Sequence, residues 1–132
     1  DEESLVALAI LLAQRARYGE AVSLLAEANR RFPERTDTAT TLARLLASSP
    51  DRSLRDGRRA HELALAVYTT SPTPVHRETV AMALAELGRC DEALEWMQRA
   101  VAEAAQANDA DATRLKGEIS KYESASCRPP WQ

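Results

Sequence analysis

Few residues of this chain have the type and spacing that chemistry needs. His61 and Glu62 stand together as they would on a zinc-protease helix, but that motif needs a second histidine four positions after the first, and Leu65 is there instead. His76 opens a helical stretch and reads as a surface residue rather than a ligand. Asp91, Glu92 and Glu95 gather at a helix start, where the positive end of the helix dipole accounts for carboxylates without general acid work. Gly19, Gly57, Gly88 and Gly117 are scattered and make neither a phosphate-binding loop nor a dinucleotide fingerprint. Cys90 and Cys127 form no C-x-x-C pair and have no metal-ligand spacing. Cys90 falls at a turn and reads as a small core residue, and Cys127 lies in the tail. A disulfide between them is open but is not the favoured reading. No catalytic residue, metal or cofactor is expected, so any catalysis belongs to another part of a larger protein.

The elements that carry these residues are read as helices. The apolar fraction is 45% but aromatics are only 5%, with alanine and leucine supplying most of the rest, which suits close-packed helices. No segment alternates with period two, so no strand is expected. The 132 residues are enough for one domain with its own core. A net charge of −3 is too small to draw the chain to nucleic acid or to an anionic membrane. No stretch has the length and apolarity of a membrane span or the pattern of a signal sequence. The chain opens on Asp1 rather than methionine, which suggests a piece of a longer protein; its compartment depends on that parent, with the cytoplasm favoured over the periplasm.

Taken in order, residues 1–16 read as a helix with Glu2 and Glu3 in its first turn, and the run from Leu5 to Ala13 is apolar on every face. An edge helix needs one apolar stripe, so something is expected to cover its second side. Tyr18 and Gly19 are read as the turn into a second helix over 20–31, stopped by Pro33. A second pair starts at Thr36, Asp37 or Thr38, with Leu42, Ala43, Leu45 and Leu46 on its buried face, and resumes near Asp56 after an extra loop. A third pair spans about 73–87 and 91–107, with Pro74 suited to a first turn. A seventh helix is expected over 110–124, then a non-helical tail over 125–132.

These pairs resemble the tetratricopeptide repeat, a 34-residue helix-turn-helix with characteristic alanines and a closing proline. Leu8-Ala9 with Leu12, then Ala21, Leu25, Ala28 and Pro33, carry the first copy. Leu42-Ala43 with Leu46 lie 34 residues on, and Pro72 closes the second. From Ala21 to Ala60 is 39 residues, the excess being the 49–57 loop, and from Ala60 to Ala93 is 33. Val80-Ala81, Leu84, Leu87-Gly88, Ala93, Met97 and Ala100 make the third. The run from Leu45 to Gly57, followed by Gly88-Arg89-Cys90-Asp91-Glu92-Ala93, is similar to C-terminal repeat domains of bacterial multidomain proteins.

The resemblance implies an all-α, right-handed solenoid of three repeats, about 2–35, 36–72 and 73–107, with 110–124 as a capping helix. It also implies a protein-interaction scaffold whose concave face is lined by the first helix of each pair. Val6, Ile10, Thr40, Thr41, Arg44, Glu78, Met82 and Glu86 are the candidate groove residues, with Arg44 expected to meet an acidic group of a protein or peptide partner. The carboxylate clamp of some family members is absent, because its positions hold Val6 and Ile10, Thr40 and Arg44, Glu78 and Met82. Self-association into a homodimer through Leu5, Ile10 and Leu11 is the alternative use of the apolar first helix. RNA binding through Arg52, Arg55, Arg58 and Arg59 is weaker, for want of aromatic stacking partners nearby. In the 49–57 loop, Leu54 is expected to plug a gap and Asp56 to cap the next helix.

Overall fold

The computed structural model describes residues 1–124 and 126–129; residues 125 and 130–132 of the expected tail lie outside the described residues. Among the described residues all regular structure is helical and no strand occurs, so the chain is all-α. The helices are α1 (Glu2–Gln14), α2 (Tyr18–Arg31), α3 (Thr36–Ser48), α4 (Gly57–Thr70), α5 (Pro74–Glu86), α6 (Cys90–Gln106), α7 (Ala112–Glu118) and α8 (Ser120–Glu123). A short 3-10 turn, Arg52–Leu54, interrupts the α3–α4 connection.

Side-chain caps set several of the starts by satisfying backbone donors that have no partner inside the helix. An Asp1 carboxylate oxygen accepts the Ser4 amide at 2.8 Å, Asp56 accepts that of Arg59 at 3.1 Å, and the Thr73 hydroxyl accepts that of His76 at 3.2 Å. Pro74 occupies the first turn of α5, where its missing N–H is harmless. α3 departs from the expected capping: it begins at Thr36 with Arg35 in the cap position and no side-chain cap.

Three helix ends share one device. At Ala16, Gly88 and Asn108 the backbone turns left-handed, with φ of 61°, 78° and 53°. In each, the amides of the left-handed residue and of its successor fold back onto carbonyls of the helix's last turn; at α1 these are Ala16 N–H to Ala13 O at 3.0 Å and Arg17 N–H to Leu12 O at 2.8 Å. The turn expected at Tyr18 and Gly19 is therefore two residues too late. Both lie in the first turn of α2, and the reversal is made by Ala16, whose Cβ makes the left-handed backbone cost roughly 1 kcal/mol or more.

α1 packs on α2, α3 on α4 and α5 on α6, while α2 also meets α3, and α5 meets both α3 and α4. Fully buried alanines occur at matching places: Ala9, Ala43 and Ala81 in the first helices, Ala21, Ala60 and Ala93 in the second. With no side chain beyond Cβ they let backbones approach, and Leu25, Leu42, Leu84, Met97 and Leu115 fill the space around them. The chain's end differs from expectation. The helix expected over 110–124 starts at Ala112 and is divided at Ile119 into α7 and α8, both packed on α6 with Leu115 and Tyr122 buried. Cys90 and Cys127 are joined in a disulfide, so Cys90 is a cross-link rather than a lone core residue. Sequence spacing hid this pairing because only the return of the tail after α8 brings the two together, with Cα atoms 5.7 Å apart.

Candidate docking cleft between the first and third helices

One turn of α1 and two turns of α3 face each other across an open cleft of about 360 Å³ lined by Ile10, Ala13, Gln14, Thr41, Arg44, Leu45 and Ser48. Spacings of three and four residues along each helix put these side chains on one face. Ile10 is exposed, and Leu45, expected on the buried face of α3, is half-buried and opens onto the cleft. Thr41 donates its hydroxyl proton to Asp37 O at 2.8 Å and Ser48 donates to Arg44 O at 2.8 Å, so both present oxygen lone pairs beside the apolar Ile10, Ala13 and Leu45.

Arg44 has its acidic group within the chain. Its Nη2 donates to Glu78 Oε1 at 2.9 Å and to Val75 O at 3.3 Å, and its Nε donates to Thr79 Oγ1 at 3.0 Å. Arg114 of α7 reaches the same carboxylate from the other side, at 2.9 and 3.0 Å, and also pairs with Asp111. The Glu78 side chain is only 5% exposed. Burial alone would raise its pKa, but the Arg114 hydrogen bonds and the Arg44 charge outweigh burial and hold the carboxyl below its ordinary value. The result is a rigid polar floor rather than a free cation.

The other sequence candidates are dispersed. Val6 is buried, Thr40 and Met82 are half-buried, and Glu86 is buried at the far end of α5 in ion pairs with Arg55 and Arg128. Thus Ile10, Thr41 and Arg44 share the cleft, Glu78 underlies it, and Glu86 belongs elsewhere. On the outer side of α1, Leu11 and Leu8 are exposed and Leu5 is half-buried. A second groove of about 520 Å³ runs there between α1 and α2, along Leu8, Leu12, Ser23 and Leu24. The unusual apolarity of α1 pointed to this edge, but only the structure shows that Leu8 and Leu24 line it.

The central arginines do not form one patch. Arg52, Arg58 and Arg59 are exposed, Arg58 pairing with Glu62 at 3.6 Å, whereas Arg55 turns inward. His61 is lowered in pKa by burial and by the nearby Arg89 charge. His76 is half-buried, its Nδ1 lying 2.6 Å from Ser71 O, and so braces the α4–α5 turn. Tyr68 and Trp96 meet edge to face at 5.0 Å with the Arg77 guanidinium over both rings, a packed cluster joining α4, α5 and α6. Among the described residues no group of histidine, cysteine and carboxylate side chains is arranged to hold a metal, and no helix is long and apolar enough to cross a membrane. No family model, curated protein or solved structure matches the chain.

Proposed function

We propose that the chain is a non-catalytic docking module, a right-handed solenoid of three tetratricopeptide-like hairpins closed by α7 and α8, that holds a segment of another protein in the cleft between α1 and α3. The observation that carries this reading is the cleft itself, where exposed Ile10 and half-buried Leu45 flank a floor already neutralised by Glu78. Equal lengths of 13 residues for α1, α3 and α5, and the recurring buried alanines, support the repeat assignment. Since Arg44 is engaged, the segment is recognised by an apolar side chain between Ile10 and Leu45, with hydrogen bonds to Gln14, Thr41 and Ser48 around it. Ile10→Glu is expected to weaken binding of such a segment by about a hundredfold, the scale of one lost apolar anchor, while leaving thermal unfolding unchanged because Ile10 is exposed. Isothermal titration of a partner recovered with the native chain, repeated with the variant, tests this; unchanged affinity would remove the cleft from consideration. Self-association through the apolar α1, expected at Leu5, Ile10 and Leu11, is a second reading, favoured by the exposed Leu11 and by the α1–α2 groove that Leu8 lines.

A further inference from the structure

At the C-terminal end of α5 the chain holds a piece of itself as a receptor holds a ligand. The Glu86 side chain is 6% exposed and the Arg55 side chain 4% exposed, with Arg55 Nη1 3.3 Å from Glu86 Oε1. Arg128 lies across the same carboxylate in a two-pronged contact, Nε to Oε1 and Nη2 to Oε2 at 3.1 Å each, and Arg55 donates to the carbonyl of Pro129. Gly57 lets the α3–α4 loop close on this spot: a Cβ there would come within 3.1 Å of Glu86 Cγ and Leu87 Cδ2. One donor remains unused, since Arg55 Nε is buried with no hydrogen-bond partner among the described residues. Among the described residues the bound segment is 127–129. It contributes a sulfur to Cys90, a guanidinium to Glu86 and a main-chain carbonyl to Arg55, and Cys127 and Pro129 are themselves buried.

We propose that Glu86 and Arg55 form a docking site for an extended arginine-bearing segment, filled in cis by residues 127–129 and locked by the Cys90–Cys127 disulfide, so that a dithiol reductant opens it to a partner. The site is separate from the α1–α3 cleft and does not depend on its role. Both charged groups of the receptor come from outside the tail, and the Arg55–Glu86 pair joins the loop to α5 directly. A planar guanidinium on a buried carboxylate is a specific recognition element. The lock is the covalent bond. Once it is gone, the segment is held by non-covalent contacts alone, the Arg128–Glu86 pair and the Arg55 bond to the Pro129 carbonyl among them, and a partner segment can exchange these for its own. In the opening step the dithiol attacks one sulfur and then closes on itself: the Cys90–Cys127 bond breaks, both cysteines gain a proton, and the dithiol becomes a cyclic disulfide.

The test uses the full chain and two acetylated tetrapeptide amides of identical composition, Ser-Cys-Arg-Pro and Ser-Arg-Cys-Pro, in a glutathione buffer that permits exchange. Only the first places its arginine on Glu86 when its sulfur is on Cys90. Mass spectrometry is expected to find it captured on Cys90 at least about tenfold over the second, the equilibrium ratio of one charge-assisted hydrogen-bond pair. After reduction Cys127 should alkylate at the rate of an exposed thiol, while hydrogen exchange at Leu84 and Met97 stays slow. Equal capture of the two peptides would overturn the docking site. A Cys127 that stays protected after reduction, or loss of protection at Leu84 and Met97, would overturn the lock, by showing a strap that does not open or a staple for the whole fold.

Discussion

Replacing Glu78 by glutamine is expected to lower the free energy of unfolding by about 3 kcal/mol at neutral pH, the low end of the cost of breaking a buried ion pair. The low end applies because the stranded partners, Arg44 and Arg114, have side chains 31% and 43% exposed and can turn to water. Glutamine keeps the shape of the protonated acid, so the effect isolates charge. The pH dependence follows from the direction of the shift. Glu78 is held below its ordinary value of 4.5 by Arg114 and Arg44 against its burial, so its contribution is fully present above that value. It is lost as pH falls through the lower value of the folded state. Urea unfolding of native chain and variant at pH 7 and at pH 3 should show two curves well apart in the first case and closer together in the second. Equal separation at both would mean that packing, not charge, explains the role of Glu78. Because Arg44 forms a wall of the cleft, the same change should loosen that wall without touching Ile10 or Leu45.

What the sequence makes legible here is periodic, and what it hides is long-range. The positions of Ala21, Ala60 and Ala93 announce close helix contacts before any coordinate is known, since a small residue repeated at one place in successive helices has few other uses. Helix starts with a capping side chain, at Asp56 and Thr73, can be read from neighbours alone. Ends are harder: the left-handed residue after α1 is Ala16, a residue type that gives no signal, and the visible glycine three residues on drew the turn toward itself. The polar partners were the least legible. Glu78 meets Arg44 and Arg114 across sequence separations of 34 and 36, and Glu86 meets Arg128 across 42, so nothing in local pattern links them. Their helical phase placed both glutamates on a groove. The return of α7 and the tail buried them, and the extra loop after α3 supplies Arg55 to that return as well as the cap of α4.

Truncating Leu84 to alanine is expected to cost about 4 kcal/mol, and the same change at Leu25 about 2 to 3 kcal/mol, although both are leucines in fully closed surroundings. The difference lies in what can move. The cost of an emptied site grows with the cavity that survives relaxation. Leu84 is on α5, which packs against α3, α4 and α6 at once, so collapse of one wall opens another and the cavity persists. Leu25 is on α2, which has α1 on one side and α3 on the other, with the α1–α2 groove and the exposed Leu8 and Leu11 beyond. There the edge hairpin can settle into the gap at the expense of surface that is already in water. Hydrogen exchange should separate the two variants as sharply as calorimetry. Leu25→Ala should speed exchange in α1 and α2 and leave α5 and α6 protected, as expected where stability is held hairpin by hairpin. Leu84→Ala should speed exchange throughout. If both variants lost protection uniformly and by the same amount, the chain would unfold as a single cooperative unit, and the hairpins would not be independent carriers of its stability.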